Sequence, residues 1–263
     1  MKAPANHRAW ISALLAFAVI LAAWSIISGA GLVAPIILPT PWRVADALVQ
    51  LLWHGGLGQD LLVTSLRATA ALALSAAIGV PFGLLLSLHP RVLAAVEGPV
   101  HALRSIPAAA LFPLFLIVIG VGEGSIITLA TYNSVMVVLI NTVAGAVLAN
   151  RRRLHQARSL GLGGWRLARQ VLFWEALPHI FAGVRVAAGY GLALIIAVEM
   201  FLGISHAGLG RKIYDFQAAY RMPECYAAIL VTATVGVVIN AFISYAERRC
   251  LRWLPMSQQD YVE

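Results

Sequence analysis

The chain has 263 residues, of which 60% are apolar and only 11% are charged, and its mean hydropathy is +0.84. Soluble domains carry about 45–50% apolar and about 25% charged residues, so this composition excludes a soluble enzyme and a disordered chain. The net charge of +8 raises the question of nucleic acid, but the basic residues stand in clusters between apolar runs. We therefore expect a membrane protein whose positive charges meet lipid headgroups, with no nucleic-acid partner.

In chain order, six apolar stretches reach about the 20 residues that a membrane-spanning helix needs. The first follows Lys2 and Arg8, as in a cleaved signal peptide, but its length favours a helix that is retained. We predict an all-α membrane protein with about six transmembrane helices, forming one transmembrane domain over residues 1–263. The spans are expected at about residues 10–29, 68–88, 105–122, 124–150, 180–204 and 225–246.

The basic residues are distributed unevenly between the connections that join these spans. Fourteen of the 19 fall on the side that holds both termini, with Arg91 and Arg104 among them, and five fall on the other side, including Arg67. Lysine and arginine are enriched in cytoplasmic loops. Both termini are therefore expected in the cytoplasm.

The longest basic connection covers residues 151–178, between the fourth and fifth spans. Its three glycines, at positions 161, 163 and 164, predict a turn between two short helices. After the turn, Leu167, Val171 and Trp174 recur at helical spacing, which indicates an amphipathic helix. Such a helix lies along a surface or docks into a groove of a partner.

Within this connection, Ala157, Gly161 and the later Leu177-Pro178 resemble the conserved cytoplasmic loop of ABC importer permeases, which contains Glu-Ala-Ala, three residues and Gly. The ordered set of further motifs is similar to the nitrate, sulfonate, taurine and bicarbonate branch of that family. These motifs are Leu38-Pro39-Thr40-Pro41, Leu103-Arg104-Ser105-Ile106-Pro107, Pro113-Leu114, Gly120-Val121-Gly122-Glu123, Asn141-Thr142 and Gly208-Leu209-Gly210. The loop departs from the family at His155, in place of the acidic residue, and at Gln156, in place of the first alanine.

The resemblance implies the permease subunit of an ATP-driven importer in a bacterial inner membrane. A soluble binding protein would deliver a small anion of the nitrate, sulfonate or taurine type. Two ATPase subunits would carry ATP and Mg, this chain would bind no cofactor, and a second permease copy would complete the path. The cytoplasmic coupling helix that contacts the ATPase would use His155, Gln156, Ala157, Ser159, Leu160, Gly161 and Trp165.

The sequence offers no chemistry of its own for hydrolysis. It has no phosphate-binding Gly-x-x-x-x-Gly-Lys-Ser/Thr, and its only lysines are Lys2 and Lys212. Its seven histidines form no pair at metal-ligand spacing, so we expect neither an enzyme nor a metal site. The main alternative is a self-contained ion-coupled secondary transporter, which would need charged sites at the membrane midplane.

A few polar residues stand within the apolar spans, where each needs a partner or water. Tyr132, Asn133, Asn141 and Glu199 are candidates for the translocation path. The alternative for the first three is helix packing. For Glu199 the alternatives are a structural pairing with Arg185 and an interfacial position near the outer end of its span. Glu123 is expected to cap or solvate the connection between the third and fourth spans.

Overall fold

The computed structural model describes residues 7–54, 57–201 and 207–252, and all regular structure within these ranges is helical. Eleven α-helices follow one another in this part of the chain. They are α1 (His7–Gly29), α2 (Pro41–His54), α3 (Leu57–Leu88), α4 (Pro90–Ser105), α5 (Phe112–Ile119), α6 (Glu123–Val147), α7 (Arg151–Ser159), α8 (Gly164–Leu167), α9 (Phe173–Phe201), α10 (Leu209–Ala218) and α11 (Met222–Cys250). A 3₁₀ turn at Ala108–Leu111 precedes α5, and a π-helical turn at Ala168–Leu172 joins α8 to α9.

Four helical segments in the described ranges are long and apolar enough to cross a membrane: Leu57–Leu88, Glu123–Val147, Gly164–Phe201 and Met222–Cys250. A fifth span arises if the bent pair Pro90–Ser105 and Ala108–Ile119 counts as one. The described apolar stretch of α1, Leu14–Gly29, is shorter. An all-α membrane fold is thus confirmed, while the number six remains a prediction.

The centre of the bundle is α6, which packs most extensively against α3 and α9, and these two helices also contact each other. Gly79 and Gly83 of α3 lie against Val138 and Thr142 of α6, respectively, so these two helices run parallel. Gly183 of α9 lies against Asn141, and a Cβ at this glycine would come within 2.6 Å of the asparagine Cβ. Because glycine has no side chain, helices can approach each other closely at these positions in lipid. Gly79 and Gly83 therefore allow the close packing of α3 against α6.

The third predicted span, residues 105–122, is not one straight helix. Helix α4 ends at Ser105, and the following 3₁₀ turn and α5 are bent from it by 80°. Ile106 is extended with ψ 122°, as expected before Pro107, because proline disfavours the helical conformation of the residue that precedes it. A helix broken at Ile106 and Pro107 replaces the predicted single rod.

The second and fifth spans begin earlier in the structure than the apolar runs predict. Helix α3 starts at Leu57, so Arg67 lies inside it rather than before it. The helical segment of the fifth span starts at Gly164 and includes Pro178, which the sequence pattern places at the end of the loop. Buried Leu172, Ala176 and Ile180 form one apolar face there, and its packing outweighs the local cost of the proline. Residues 202–204, the predicted end of this span, lie outside the described residues, as does Lys2.

Candidate functional site

The segment that resembles the family's coupling loop forms a short helix with both ends closed. At its start, the Asn150 side chain accepts hydrogen bonds from the backbone N–H groups of Arg152 (2.9 Å) and Arg153 (3.4 Å). At its end, Gly161 has a φ of +80°. The Leu162 N–H donates to the Ala157 carbonyl (3.1 Å), and the Gly161 N–H donates to the Arg158 carbonyl. This pattern is a Schellman turn, which explains why a glycine stands at position 161.

Six of the seven predicted coupling residues are exposed, namely His155, Gln156, Ser159, Leu160, Gly161 and Trp165. Ala157 is buried beneath the helix. Leu160, which directly follows the last residue of α7, is 82% exposed. The structure therefore presents this end of α7 and the following turn as one free surface.

Two links tie this surface to the long helical segment that follows. Arg153 of α7 forms an ion pair with Glu175 of α9, with 2.6 Å between Nε and Oε1. Helix then continues without a chain break from Gly164 to Phe201, which are 38 residues. At 1.5 Å per residue this segment is about 57 Å long, enough to cross the bundle from end to end. Trp165 and Glu199 therefore belong to one continuous helical segment.

The candidate path residues separate into two places. Tyr132, Asn133 and Asn141 of α6 line one cavity of about 320 Å³, together with Leu103, Arg104, Ile106, Met136, Val137, Ile140, Val186 and Tyr190. Packing bonds are present as well, since the Tyr132 hydroxyl donates to the Leu103 carbonyl (3.1 Å) and the Asn141 amide to that of Val137 (2.8 Å). Glu199 lies elsewhere, fully buried within a polar network.

That network, which we call the Arg67 network, comprises Asp60, Thr64 and Arg67 of α3 with Glu123 and Glu199. The Arg67 Nη1 donates to Glu199 Oε1 at 2.6 Å, and its Nε donates to Glu123 Oε2 at 2.6 Å. Arg67 and Glu199 are 2% and 0% exposed, while Glu123 is 61% exposed. One guanidinium thus joins α3, α6 and α9 through two carboxylates, whose charges compensate its burial.

The same network holds the start of α10. The backbone N–H groups of Gly208, Leu209 and Gly210 donate to Asp60 (2.7 Å), Thr64 (2.9 Å) and Glu199 (2.9 Å), respectively. The first N–H groups of a helix have no partner within it and favour negative charge. Gly208 and Gly210 lie against the Glu199 side chain, where a Cβ would come within 2.7 Å of it. This close approach explains the predicted Gly208-Leu209-Gly210 motif.

Arg185 does not pair with Glu199, as one alternative for that glutamate predicts, but with Glu247 of α11. The separation of 14 residues along α9 places Arg185 and Glu199 about 21 Å apart, which explains the correction. Glu123, expected to cap or solvate a connection, stands exposed in the first turn of α6 and in addition binds Arg67. The signal that could have found the Arg67–Glu199 pair was a carboxylate inside the fifth apolar run, which needs a partner in the membrane, together with an arginine directly before the second run.

Arg104 also differs from its predicted place in a cytoplasmic connection. It lies in the last turn of α4, directly before the break, and lines the cavity beside the middle of α6. In the ranges that the structure describes, no group of three or more His, Cys, Asp or Glu side chains could hold a metal ion. The arrangement contains a cavity beside α6, a buried ion network and an exposed short helix with basic residues, within an all-α membrane fold.

Comparison with known proteins identifies the family. Residues 77–252 match the model for the binding-protein-dependent transport system inner membrane component, and the chain belongs to this family. A relative named for aliphatic sulfonates transport, SsuC of Bacillus subtilis, is 30% identical over 96% of this chain and 91% of its own. The taurine transport system permease protein TauC of Escherichia coli is 27% identical over 90% and 87%. The nitrate import permease protein NrtB of a Synechocystis strain is 27% identical over 89% and 86%.

A solved structure of similar fold is the MetNI methionine ABC transporter in an inward-facing conformation. Its matching chain has a TM-score of 0.60 and 17% identity, and the match covers 81% of this chain and 97% of that one. The predicted resemblance to permeases of the nitrate, sulfonate and taurine branch is thereby confirmed. This chain is a membrane permease of the ABC type.

Proposed function

We propose that this chain is the transmembrane permease subunit of an ATP-driven importer that carries a small anion of the sulfonate, taurine or nitrate type. A binding protein would deliver the solute at the face opposite α7. Two ATPase subunits, which hold ATP and Mg, would bind at the α7 face, and a second permease copy would complete the path. Both termini would lie in the cytoplasm, and this chain would perform no covalent chemistry.

The observation that carries the ATPase partnership is the exposed surface of α7 and its turn. Leu160 and Trp165 present apolar side chains there, next to the polar side chains of His155 and Gln156. A short helix with an exposed apolar end is suited to insertion into a groove of a partner. The match of the family model to residues 77–252, which include the whole segment, supports the same role.

Coupling would follow from the continuity of the helical segment Gly164–Phe201. Closure of the ATPase pair would displace α7, and the Arg153–Glu175 ion pair and the segment itself would transmit the movement. At the far end the segment holds Glu199, and through it Arg67 on α3 and the start of α10. The bundle would then change between two packed arrangements that open on opposite faces.

The test begins with purification of the chain from its own cells in a mild detergent. We expect an ATPase to co-purify in a near one-to-one ratio. Leu160→Asp should reduce that recovery at least about tenfold, because an apolar anchor at the centre of an interface contributes about 2 kcal/mol or more. The matched control is Leu32→Asp, which changes a leucine of similar exposure, 74%, far from α7 and should leave recovery unchanged.

A chain that purifies alone, and that transports an anion in liposomes without ATP, would contradict the proposal and favour the secondary transporter. Equal loss of the ATPase in both aspartate variants would show that general destabilisation, rather than contact at Leu160, causes the effect.

A further inference from the structure

We propose that the cavity at the broken helix is an anion-binding site in which Arg104 supplies the charge, and that it accepts a small oxyanion with a sulfonate or nitrate group. This inference rests on the proposed function, which it deepens by assigning a binding site to residues of this chain. Four observations support it: the place of the break, the free charge of Arg104, the polar lining, and the segregation of every nearby carboxylate.

The first observation is the depth of the cavity in the bundle. Tyr132 is nine residues from the start of α6 and Asn141 six residues from its end, so the cavity lies beside the middle third of this 25-residue helix. The break after Ser105 reaches the same level, since Leu103, Arg104 and Ile106 line the cavity from the other side. Broken helices are tolerated inside a membrane where they line a cavity, and there they form solute sites.

The second observation concerns the charge of Arg104. Among the residues that the structure describes, none forms a hydrogen bond or an ion pair with its guanidinium. The charges of two other arginines on the helices are compensated by carboxylates. Arg67 binds Glu123 and Glu199, and Arg185 binds Glu247. An arginine cannot lose its charge under ordinary conditions. Arg104 is exposed, so its permanent positive charge, which has no carboxylate beside it in the described ranges, is open to an anion that enters the cavity.

The third observation is the supply of hydrogen-bond donors around that charge. Asn133 offers an amide group, Tyr190 a hydroxyl and Asn141 the second N–H of its amide, and all three line the cavity with Arg104. The hydroxyl of Tyr132, which also lines it, already donates to the Leu103 carbonyl. A guanidinium presents several N–H groups in one plane, which matches two oxygens of an oxyanion. The volume of about 320 Å³ is ample for such an anion, and the apolar remainder of the lining would contact an alkyl chain.

The fourth observation is the absence of negative charge from this lining. The acidic residue on the same helix, Glu97, lines a separate and largely apolar cavity with His101. Glu97 precedes Arg104 by seven residues, about 10 Å along the helix, which is too far to neutralise it by direct contact. Glu199 is held by Arg67 and does not reach the cavity. The site therefore has the electrostatic character of an anion site rather than of a cation path.

The test uses thiol labelling in the complete purified complex. Both native cysteines, Cys225 and Cys250, are changed to serine, and Val186→Cys places one thiol in the cavity lining. Labelling rates are compared for two methanethiosulfonate reagents of similar size, one with a sulfonate and one with a quaternary ammonium group. For each thiol we take the ratio of the labelling rate with the anionic reagent to that with the cationic reagent. We expect this ratio to be at least about tenfold higher for Val186→Cys than for a free thiol in solution. A unit charge within about 6 Å attracts one reagent and repels the other, and the two effects together produce this preference even at the dielectric constant of water, about 80.

Charge variants then assign the preference to one residue. Arg104→Gln should abolish it, while Arg104→Lys should retain it. Arg91→Gln removes an exposed charge at the start of the same helix and should leave it unchanged. A second reporter, Ala233→Cys, lies in a different apolar cavity, and its labelling rates should be the same with and without Arg104→Gln, which verifies that the fold is intact. Methanesulfonate and nitrate should slow labelling of Val186→Cys, whereas gluconate at equal ionic strength should not.

Three results would overturn the inference. They are an unchanged preference in Arg104→Gln, a thiol at position 186 that reacts with neither reagent, and a preference that depends on Arg104 without protection by methanesulfonate or nitrate. The last result would indicate that Arg104 meets a lipid phosphate or a partner carboxylate instead. The ATPase recovery test does not involve this cavity. A negative labelling result therefore leaves the proposed function standing, and a negative ATPase result is obtained independently of the labelling experiment.

Discussion

The Arg67 network yields a quantitative prediction about the stability of the bundle. Glu199 is fully buried and accepts hydrogen bonds from Arg67 (2.6 Å), Thr64 (2.9 Å) and the Gly210 N–H (2.9 Å). Removal of one partner of a buried ion pair costs about 3–5 kcal/mol. Glu199→Gln should fall at the lower end, about 3 kcal/mol, because Arg67 keeps Glu123. Arg67→Gln should fall at the upper end, about 5 kcal/mol, because Glu199 then has no cation.

The double variant Arg67→Gln/Glu199→Gln distinguishes an ionic interaction between the two side chains from two independent packing effects. If the ionic interaction accounts for the loss of stability, the double variant should be less destabilised than the sum of the two single variants by about 2 kcal/mol. Arg211→Gln is the control, since it breaks an exposed i,i+4 pair with Asp215 and should change stability by at most about 0.5 kcal/mol.

The chain contains its own reporter for this measurement. Cys225 is buried on α11 and Cys250 is exposed, so Cys250→Ser leaves one thiol that a thiol-reactive fluorophore reaches only on unfolding. At about 2–4 °C per kcal/mol for a chain of this size, Glu199→Gln should lower the unfolding midpoint by about 6–12 °C. Strictly additive single and double variants, or a Glu199→Gln midpoint equal to that of the control, would refute the reasoning.

Two glycine pairs give further predictions with internal controls. Gly183→Ala should destabilise the bundle by about 1–3 kcal/mol, because its Cβ would lie 2.6 Å from Asn141. The Cβ of Gly189→Ala would meet nothing within 4 Å, so this control should be neutral or stabilising. The unfolding midpoint from the same fluorescence assay measures both variants. Gly161→Val should lower ATP-dependent uptake more than ATP hydrolysis in the assembled importer, because its φ of +80° disfavours a side chain and the turn would change shape. Gly163→Val, at a φ of −141°, should leave the ratio of uptake to hydrolysis near that of the parent, and equal ratios in both variants would argue against a coupling role for the turn.

Local sequence patterns suffice to predict the class of fold and most of the helices. Apolar runs separated by basic clusters are a local property, and they located the fourth span (124–150 against Glu123–Val147) and the sixth (225–246 against Met222–Cys250) closely. The glycine at position 161 was likewise recognisable, because a helix end followed by a residue with positive φ has a local signature. The cavity residues on α6 could be singled out because polar groups are rare in apolar runs.

Which charges meet depends instead on how the helices pack. Arg67 and Glu199 are 132 positions apart, and no local pattern records that α3 and α9 contact each other with these side chains at one level. The break at Ser105 and the continuity across Pro178 could not be predicted locally either, because each depends on how well an apolar face packs against α6. The position of Arg104 could not be predicted locally for the same reason. A basic residue beside an apolar run is typical of a loop, and only the packing of α4 and α6 places this one at the cavity. Periodicity and composition fix elements, whereas the partners of buried charges are fixed by packing between elements.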